Sequence, residues 1–397
     1  MIKRFRIQNY KALRDVTLEL TPLHILIGPN DSGKTSILEA IAALCRSVDH
    51  HLVKAFTGSW TGVELVWNGN RDLAISFAAQ VEDNNAESFE YRLSCRFPAR
   101  GRAPVVQEEG IEAIQEAPAL NFQNPGYGRS MVMGIATEGS SAPDDHTSWA
   151  RRIHDSFAGI HYYCWSPRFL ALPVAPDSRR RFRMESSGFG LALCLDDILG
   201  YDRDRFSSLE RRFKEIFPQI KSIKLMPEAA FRSPVDAPEQ IPMLENAEGK
   251  GIYFQFSGVD QPIPASQASD GTLLVLAYLT ILYLPEPPRV VLVEEPENGI
   301  HPKRLQDVLK VLRELVQEQT RTQVILTTHS PYVLDLFKPE EVTLCQRTQD
   351  GSVTLRRLSE SATVREQLDV FTLGEIWTAE GDEALAKSGT SGKEPQS

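Results

Sequence analysis

Residues 24–46 read HILIGPNDSGKTSILEAIAALCR. His24 to Ile27 form a continuous run of buried-strand type, and Ile37, Leu38, Ile41 and Leu44 recur at the spacing of one helical face. GPNDSGKT (28–35) lies between them and fits G-x-x-x-x-G-K-S/T in the context that gives the pattern meaning, directly after a strand and directly before a helix. Gly28 and Gly33 allow a turn tight enough for backbone N–H groups to wrap phosphates, while the helix aims its positive N-terminal end at the same anion. Gly28, Pro29, Asn30, Asp31, Ser32, Gly33, Lys34, Thr35 and Ser36 are therefore the expected ATP contacts. Within them, Lys34 is expected to reach the β and γ phosphates and the Thr35 hydroxyl to ligate Mg2+. A glycine-rich turn that binds nothing is the bland alternative.

VVLVEEPENGIHP (290–302) supplies a second element. Two adjacent carboxylates at the end of an apolar strand need a partner, because charge at a buried strand terminus is costly alone. Mg2+ is that partner in this reading: Glu294 joins the metal shell through water, and Glu295 orients and deprotonates an attacking water. An acidic turn after a core strand is the competing interpretation. The apolar run Val324–Thr327 follows across one helix, and His329 just beyond it can donate a hydrogen bond to a γ-phosphate. Ser269-Asp270-Gly271-Thr272 opens a further helix that leads into the carboxylate strand. Such a turn can bind a γ-phosphate held by a second copy of the chain, which implies a dimer with two composite sites, and it can equally be a plain Ser/Asp helix cap.

The chain has 397 residues, more than one compact core usually holds, so one nucleotide-binding domain with a large addition is expected. The longest apolar stretch, Leu273–Leu284, is well short of the roughly 20 residues that cross a bilayer, and no signal peptide opens the chain. A cytoplasmic protein without a membrane partner is expected. Five cysteines at wide spacings, with no C-x-x-C pair, fit neither a disulfide framework nor a zinc site. A formal charge of −10 gives no bulk attraction to DNA, so DNA contact would rest on a local cluster, Arg179, Arg180, Arg181 and Arg183 with Arg151 and Arg152.

Boundaries follow from pattern and composition. Residues 1–46 and 250–345 read as the nucleotide-binding core. Residues 47–98, with VELVWNG, LAISFAAQV and FEYRLSCRF, read as an antiparallel β lobe, and 99–147, rich in Gly, Pro, Ser, Glu and Gln, as a mobile insertion. Residues 148–249 read as a helical or mixed lobe, 346–386 as a C-terminal extension and 387–397 as a disordered tail.

Taken together, GPNDSGKTS, SDGT, VVLVEEPENGIHP and TTHSP resemble the OLD-like and RecF-like branch of AAA/ABC ATPases. The likeness covers residues 1–46 and about 250–340 tightly; HYYCWSPRF (161–169) and FTLGEIWT (371–378) are similar to further segments of that branch. It implies an α/β fold: a P-loop NTPase of ABC-ATPase type, with a mostly parallel core sheet, helices on both faces, an antiparallel β lobe and a helical insertion. It also implies ATP and Mg2+ as cofactors, Ser269, Asp270 and Gly271 as a signature acting in trans, and polar residues near Asn9 and Lys11 close to the nucleotide. Most members of the branch carry Asp where this chain has Glu294. Too few residues follow Glu340 for a Toprim nuclease of on the order of 100 residues, so a stand-alone ATPase is expected. Its expected partners are a second copy or higher homo-oligomer and a separately encoded effector, a nuclease or toxin, in bacterial anti-phage defence. A scaffold that ATP assembles with little turnover and a RecF-like DNA-repair clamp are the alternatives.

Overall fold

The structure, a computed structural model, describes residues 1–56, 62–83, 87–97, 103–113, 120–122, 128–138, 144–178, 181–233, 241–318 and 322–386. The chain divides into two compact units, Met1–Ile160 with Gln323–Ser397, and His161–Thr322.

The first unit opens with β1 (Ile2–Tyr10), β2 (Leu13–Glu19), β3 (Leu23–Ile27), α1 (Lys34–Arg46) and the short α2 (Leu52–Ala55). It continues through β4 (Ile75–Glu82), β5 (Ser88–Arg96), β6 (Val105–Ala113), β7 (Leu120–Phe122), α3 (Met131–Glu138) and α4 (Asp144–Phe157). Six of these strands form an antiparallel sheet in the order β2-β1-β4-β5-β6-β7. Its buried face follows from strict alternation: Ile75, Phe77, Ala79 and Val81 on β4 and Phe89, Tyr91, Leu93 and Cys95 on β5 all point inward. Phe56 anchors that face, edge-on to Phe97 at 4.9 Å and stacked on Phe77 at 5.9 Å.

Two expectations change here. VELVWNG is not a strand but two single 3-10 turns, Val63–Leu65 and Trp67–Gly69, because Asn68 and Gly69 both take left-handed backbone angles that break an extended chain. The stretch 99–147 carries regular structure in its described part: β6, β7, α3 and the start of α4. Its apolar alternation is masked by Glu109, a buried carboxylate on the inward face of β6. Glu109 accepts hydrogen bonds from the Tyr91 hydroxyl (2.9 Å) and from the backbone N–H groups of Met131 (2.6 Å) and Val132 (3.2 Å), so a charged residue closes the start of α3 from within the core.

The second unit contains β8 (Ile160–Tyr163), α5 (Pro167–Leu170), α6 (Leu191–Tyr201), α7 (Arg203–Ile216), β9 (Ile220–Arg232), β10 (Met243–Phe256), β11 (Ile263–Pro264), α8 (Asp270–Leu282), β12 (Val290–Glu294) and α9 (Pro302–Glu318). The helical reading of 188–217 resolves into α6 and α7, divided at Asp202, whose carboxylate caps α7 by accepting from the N–H groups of Asp204 and Arg205 at 3.0 Å. Helix α8 is buried from Thr272 through Leu282, as a helix apolar on all sides must be. The antiparallel hairpin of β9 and β10 has no sequence precursor, because much of it is exposed and carries no apolar period.

The chain then returns to the first unit with β13 (Gln323–Thr327), α10 (Pro331–Leu334), β14 (Val342–Arg347), β15 (Val353–Arg357), α11 (Ala362–Gln367) and α12 (Leu373–Leu385). β3 lies between β13 and β14, parallel to both, and β15 closes the edge antiparallel to β14. All five residues of β3 are buried although they point alternately to the two faces of the sheet, so both faces are covered there and the strand reads as one apolar run. The Gln323 amide locks the start of β13 in place: it donates to the carbonyls of Ile2 (2.8 Å) and Thr21 (3.1 Å) and accepts from Ile2 N–H (3.0 Å). All five cysteines are free thiols. Among the described residues no helix is long and apolar enough to cross a membrane, and the expected tail 387–397 lies outside those residues.

His24 sits in β3 without solvent contact, its ring nitrogens 3.0 Å from Thr343 Oγ1 and 3.1 Å from Thr21 Oγ1. Burial, reinforced by the charge of Arg357, drives its pKa from 6.5 down to about 3, so the folded chain holds the ring neutral where the unfolded chain protonates it. The unfolded state therefore binds the extra proton between about pH 6.5 and 3, and stability falls with pH across that window. Urea midpoints at pH 7.5 and pH 5 are expected to drop more for the wild type than for His24→Gln, by about 2 kcal/mol from this group alone.

Candidate functional site

In the first unit, the loop 28–33 leaves the C-terminal end of β3 and enters α1. Gly28 (φ 135°), Asp31 (φ 62°) and Gly33 (φ 90°) all take left-handed angles, so the chain reverses within six residues. At Gly28 the constraint is absolute: a Cβ there would stand 2.2 Å from the Cys345 carbonyl oxygen of β14. Helix α1 begins with no side-chain cap and no acidic residue in its first turn, which leaves its N-terminal dipole uncompensated by the protein. Lys34 is buried, and its ammonium donates to the carbonyls of Gly28 (2.8 Å) and Pro29 (2.7 Å) and to Ser32 Oγ (3.3 Å). Pro29, Asn30, Asp31 and Thr35 are exposed, and Ser36 is half-buried.

His329 belongs to the same unit. The parallel strands β13 and β3 pair as far as Thr327 with Leu26, so two residues further along each strand His329 comes level with Gly28. Thr328 N–H donates to the Leu26 carbonyl at 3.1 Å and keeps that register past the strand end. The half-buried histidine and the loop therefore leave the same edge of neighbouring strands. Asn9 and Lys11 are engaged locally: the Asn9 amide donates to the Ala74 carbonyl at 2.9 Å, and Lys11 pairs with Glu39 of α1.

In the second unit, β12 ends in Glu294 and Glu295, both half-buried. Glu295 takes φ 44°, a left-handed angle unusual for a residue with a side chain and a form of backbone strain found at functional positions. Its carboxylate accepts from Asn298 Nδ2 at 2.6 Å, and Asn298 N–H donates to the Glu295 carbonyl at 3.0 Å. Glu294 accepts from the Tyr162 hydroxyl on β8, a hydrogen-bonded neighbour of β12. The exposed Cys164 thiol lies near Glu294; burial and that carboxylate push its pKa up to about 11. Tyr162 and Cys164 fall in the stretch HYYCWSPRF and Asn298 in VVLVEEPENGIHP, but no local pattern marked their contacts with the carboxylates.

Ser269 and Asp270 are exposed at the start of α8, while the helix behind them is in the core. Ser269 Oγ caps the helix, accepting from Thr272 N–H at 3.3 Å and lying 2.7 Å from Thr272 Oγ1. A Cβ on Gly271 would meet nothing within 4 Å, so the backbone there is open to a visitor. The carboxylate turn packs on this cap: a Cβ on Gly299 would lie 3.3 Å from Asp270 Cβ.

The donors suit magnesium. Mg2+ takes oxygen ligands and is held by one or two carboxylates together with substrate phosphates; the exposed Thr35 carries a hydroxyl in the first unit and Glu294 a half-buried carboxylate in the second. No group of three or more His, Cys, Asp and Glu side chains forms a dedicated cage among the described residues. In the basic cluster, Arg152 is already bound to Asp83 and Glu87 and stacked on Trp149, while Arg181 is exposed over Phe182. Arg179 and Arg180 lie outside the described residues.

Two stretches of the chain match known protein families. Residues 1–126 match the family described as "AAA ATPase domain", and residues 198–335 match the one described as "AAA domain, putative AbiEii toxin, Type IV TA system". The OLD nuclease of Thermus scotoductus is 21% identical over 371 residues, covering 91% of this chain; the chain spans 65% of that relative's length. Among solved structures, an Smc head bound to the C-terminal winged-helix domain of ScpA superposes with TM-score 0.53 at 16% identity, covering 89% of this chain and 97% of that one. The Smc head with an extended coiled coil from Pyrococcus furiosus, bound to the C-terminal domain of ScpA, gives 0.50 at 13% identity, with 93% and 99% coverage. Two separate stretches of the chain thus resemble AAA ATPase domains, most of it is similar in sequence to OLD nuclease, and its mixed α/β fold is of the kind seen in SMC heads. Gly28→Ala is expected to abolish binding of a fluorescent ATP analogue and to lower stability by about 1–3 kcal/mol, read in parallel titrations and urea melts.

Proposed function

We propose that the chain is a magnesium-dependent ATPase that closes as a homodimer around ATP and, through hydrolysis, regulates a partner effector in anti-phage defence. The observation that carries the reading is the loop 28–35: its glycines and Asp31 turn the backbone ahead of an uncapped helix, and it holds Lys34 by its own carbonyls. A buried ammonium on neutral carbonyls is ready to exchange them for phosphate oxygens, its stronger charge-assisted acceptors.

In this proposal ATP brings the phosphates and Mg2+ neutralises the charge that develops on them. The loop N–H groups and Lys34 grip the β and γ phosphates, while the Thr35 hydroxyl and Glu294 face the metal shell. Glu295 orients the attacking water and takes its proton, and its bond to Asn298 keeps the carboxylate from swinging. His329 donates to the γ-phosphate. Ser269, Asp270 and Gly271 of one copy address the nucleotide held by the second, an assignment supported by the exposure of this helix start and by the open backbone at Gly271. The link to an effector and to defence rests on the likeness of residues 198–335 to the AbiEii-type family and of most of the chain to OLD nuclease.

Steady-state ATP hydrolysis by wild type, Glu295→Gln and Lys34→Ala tests the core of this proposal. Glu295→Gln is expected to lower turnover about 100-fold or more while keeping nucleotide bound in a dimer; equal turnover would move the base elsewhere. Lys34→Ala is expected to lose ATP binding. Ser269→Arg should bind ATP as a monomer yet fail to dimerise on gel filtration with ATP, and normal dimerisation would remove the signature assignment.

A further inference from the structure

The segment His161–Trp165 alternates between two environments. Tyr163 is fully buried, and Trp165 packs against both Tyr163 and Tyr278 of α8, with ring centroids 4.6 Å apart in each pair. Tyr162 and Cys164 alternate with them and project the other way, as residues two apart on an extended chain must; the Tyr162 hydroxyl donates to Glu294 at the end of β12, and the Cys164 thiol lies near the same carboxylate. The Cys164 backbone is pinned as well, its N–H donating to the Ser186 carbonyl at 2.9 Å. A hydroxyl donor and a thiol on a rigid, aromatic-backed strand therefore converge on one carboxylate.

We propose that Tyr162 and Cys164 are positioning residues that select one conformer of Glu294 and thereby set the affinity of the ATPase for its divalent metal ion. The inference rests on the assignment of Glu294 to the metal shell made above. A glutamate has one more rotatable bond than an aspartate, so a carboxylate at the end of a strand reaches further but is less well placed. The Tyr162 hydroxyl engages Oε1, so the carboxylate is held in one orientation from its own sheet. Hydrogen bonds behind a ligand of this kind commonly govern metal affinity about 10- to 100-fold. Neither side chain touches nucleotide in this proposal, so removing the donor should weaken the metal response without weakening metal-free nucleotide binding.

The test uses the purified full chain. A fluorescent ATP analogue is titrated in EDTA and at a series of Mg2+ concentrations, and hydrolysis is followed across the same series, for wild type, Tyr162→Phe, Cys164→Val and Cys164→Ser. Tyr162→Phe is expected to raise the Mg2+ concentration for half-maximal effect about tenfold in both readouts, with affinity in EDTA unchanged. Cys164→Val should shift it in the same direction and Cys164→Ser, which keeps a donor, should restore it. In a Glu294→Asp background, where the shorter side chain no longer reaches the hydroxyl, Tyr162→Phe should add no further shift. Unchanged Mg2+ dependence in Tyr162→Phe and Cys164→Val, beside a wild type that responds to Mg2+, overturns this proposal and leaves the ATPase reading standing. Equal weakening with and without metal overturns it in favour of a purely structural role. A wild type that shows no Mg2+ response at all overturns the ATPase reading, and this inference falls with it.

Discussion

The closest approach in the first unit is the one between Gly28 and the carbonyl of Cys345. β3 has a parallel strand on each side, and the chain must turn out of that enclosure at the point where β14 is still alongside. No side chain fits there, since a Cβ would stand 2.2 Å from the Cys345 oxygen. Everything downstream depends on that turn. It aims the start of α1 at the sheet edge, it brings the carbonyls of Gly28 and Pro29 within reach of Lys34, and it leaves the loop level with His329 on the adjacent strand. Parallel pairing is what aligns these features: strands that run the same way end on the same side, so their loops converge.

Buried polar groups give the two units their local order. Glu109 ties β6 to the start of α3, Gln323 ties β13 to β1, and His24 bridges Thr21 and Thr343 across the central strands. Each is fully partnered, which is the condition for polar atoms to sit in a core without heavy cost. In the second unit the carboxylates are handled the same way. Glu295 is held by Asn298 within its own turn, and Glu294 by Tyr162 from the neighbouring strand. Glu295 takes a left-handed angle there, the kind of backbone strain found at functional positions.

In the basic cluster Arg152 is engaged within the fold, while Arg151, Arg181 and Arg183 are exposed. Arg151 and Arg152 stand near each other in the chain, but Arg152 is spent on Asp83 and Glu87 and on the face of Trp149. An arginine engaged in two ion pairs and a ring contact is part of the fold, and adjacency in sequence carries no information about that engagement. The same blindness hid β6, whose inward face contains a glutamate, and the hairpin of β9 and β10, whose exposure removes the alternation that marks a strand.

The sequence by itself determined the phosphate loop, the strand before it, the helix after it, the paired carboxylates and the capped start of α8. Each is local: a glycine at a forbidden angle, an apolar run or a helical period is set by residues within about ten positions of one another. Tertiary structure alone decided which atoms hold Glu294 and Glu295, why Gly28 admits no substitute, and how His329 comes level with the loop. Those facts depend on strand register and on side chains far apart in the chain, Tyr162 and Glu294 or Gly28 and Cys345, whose meeting no local pattern encodes.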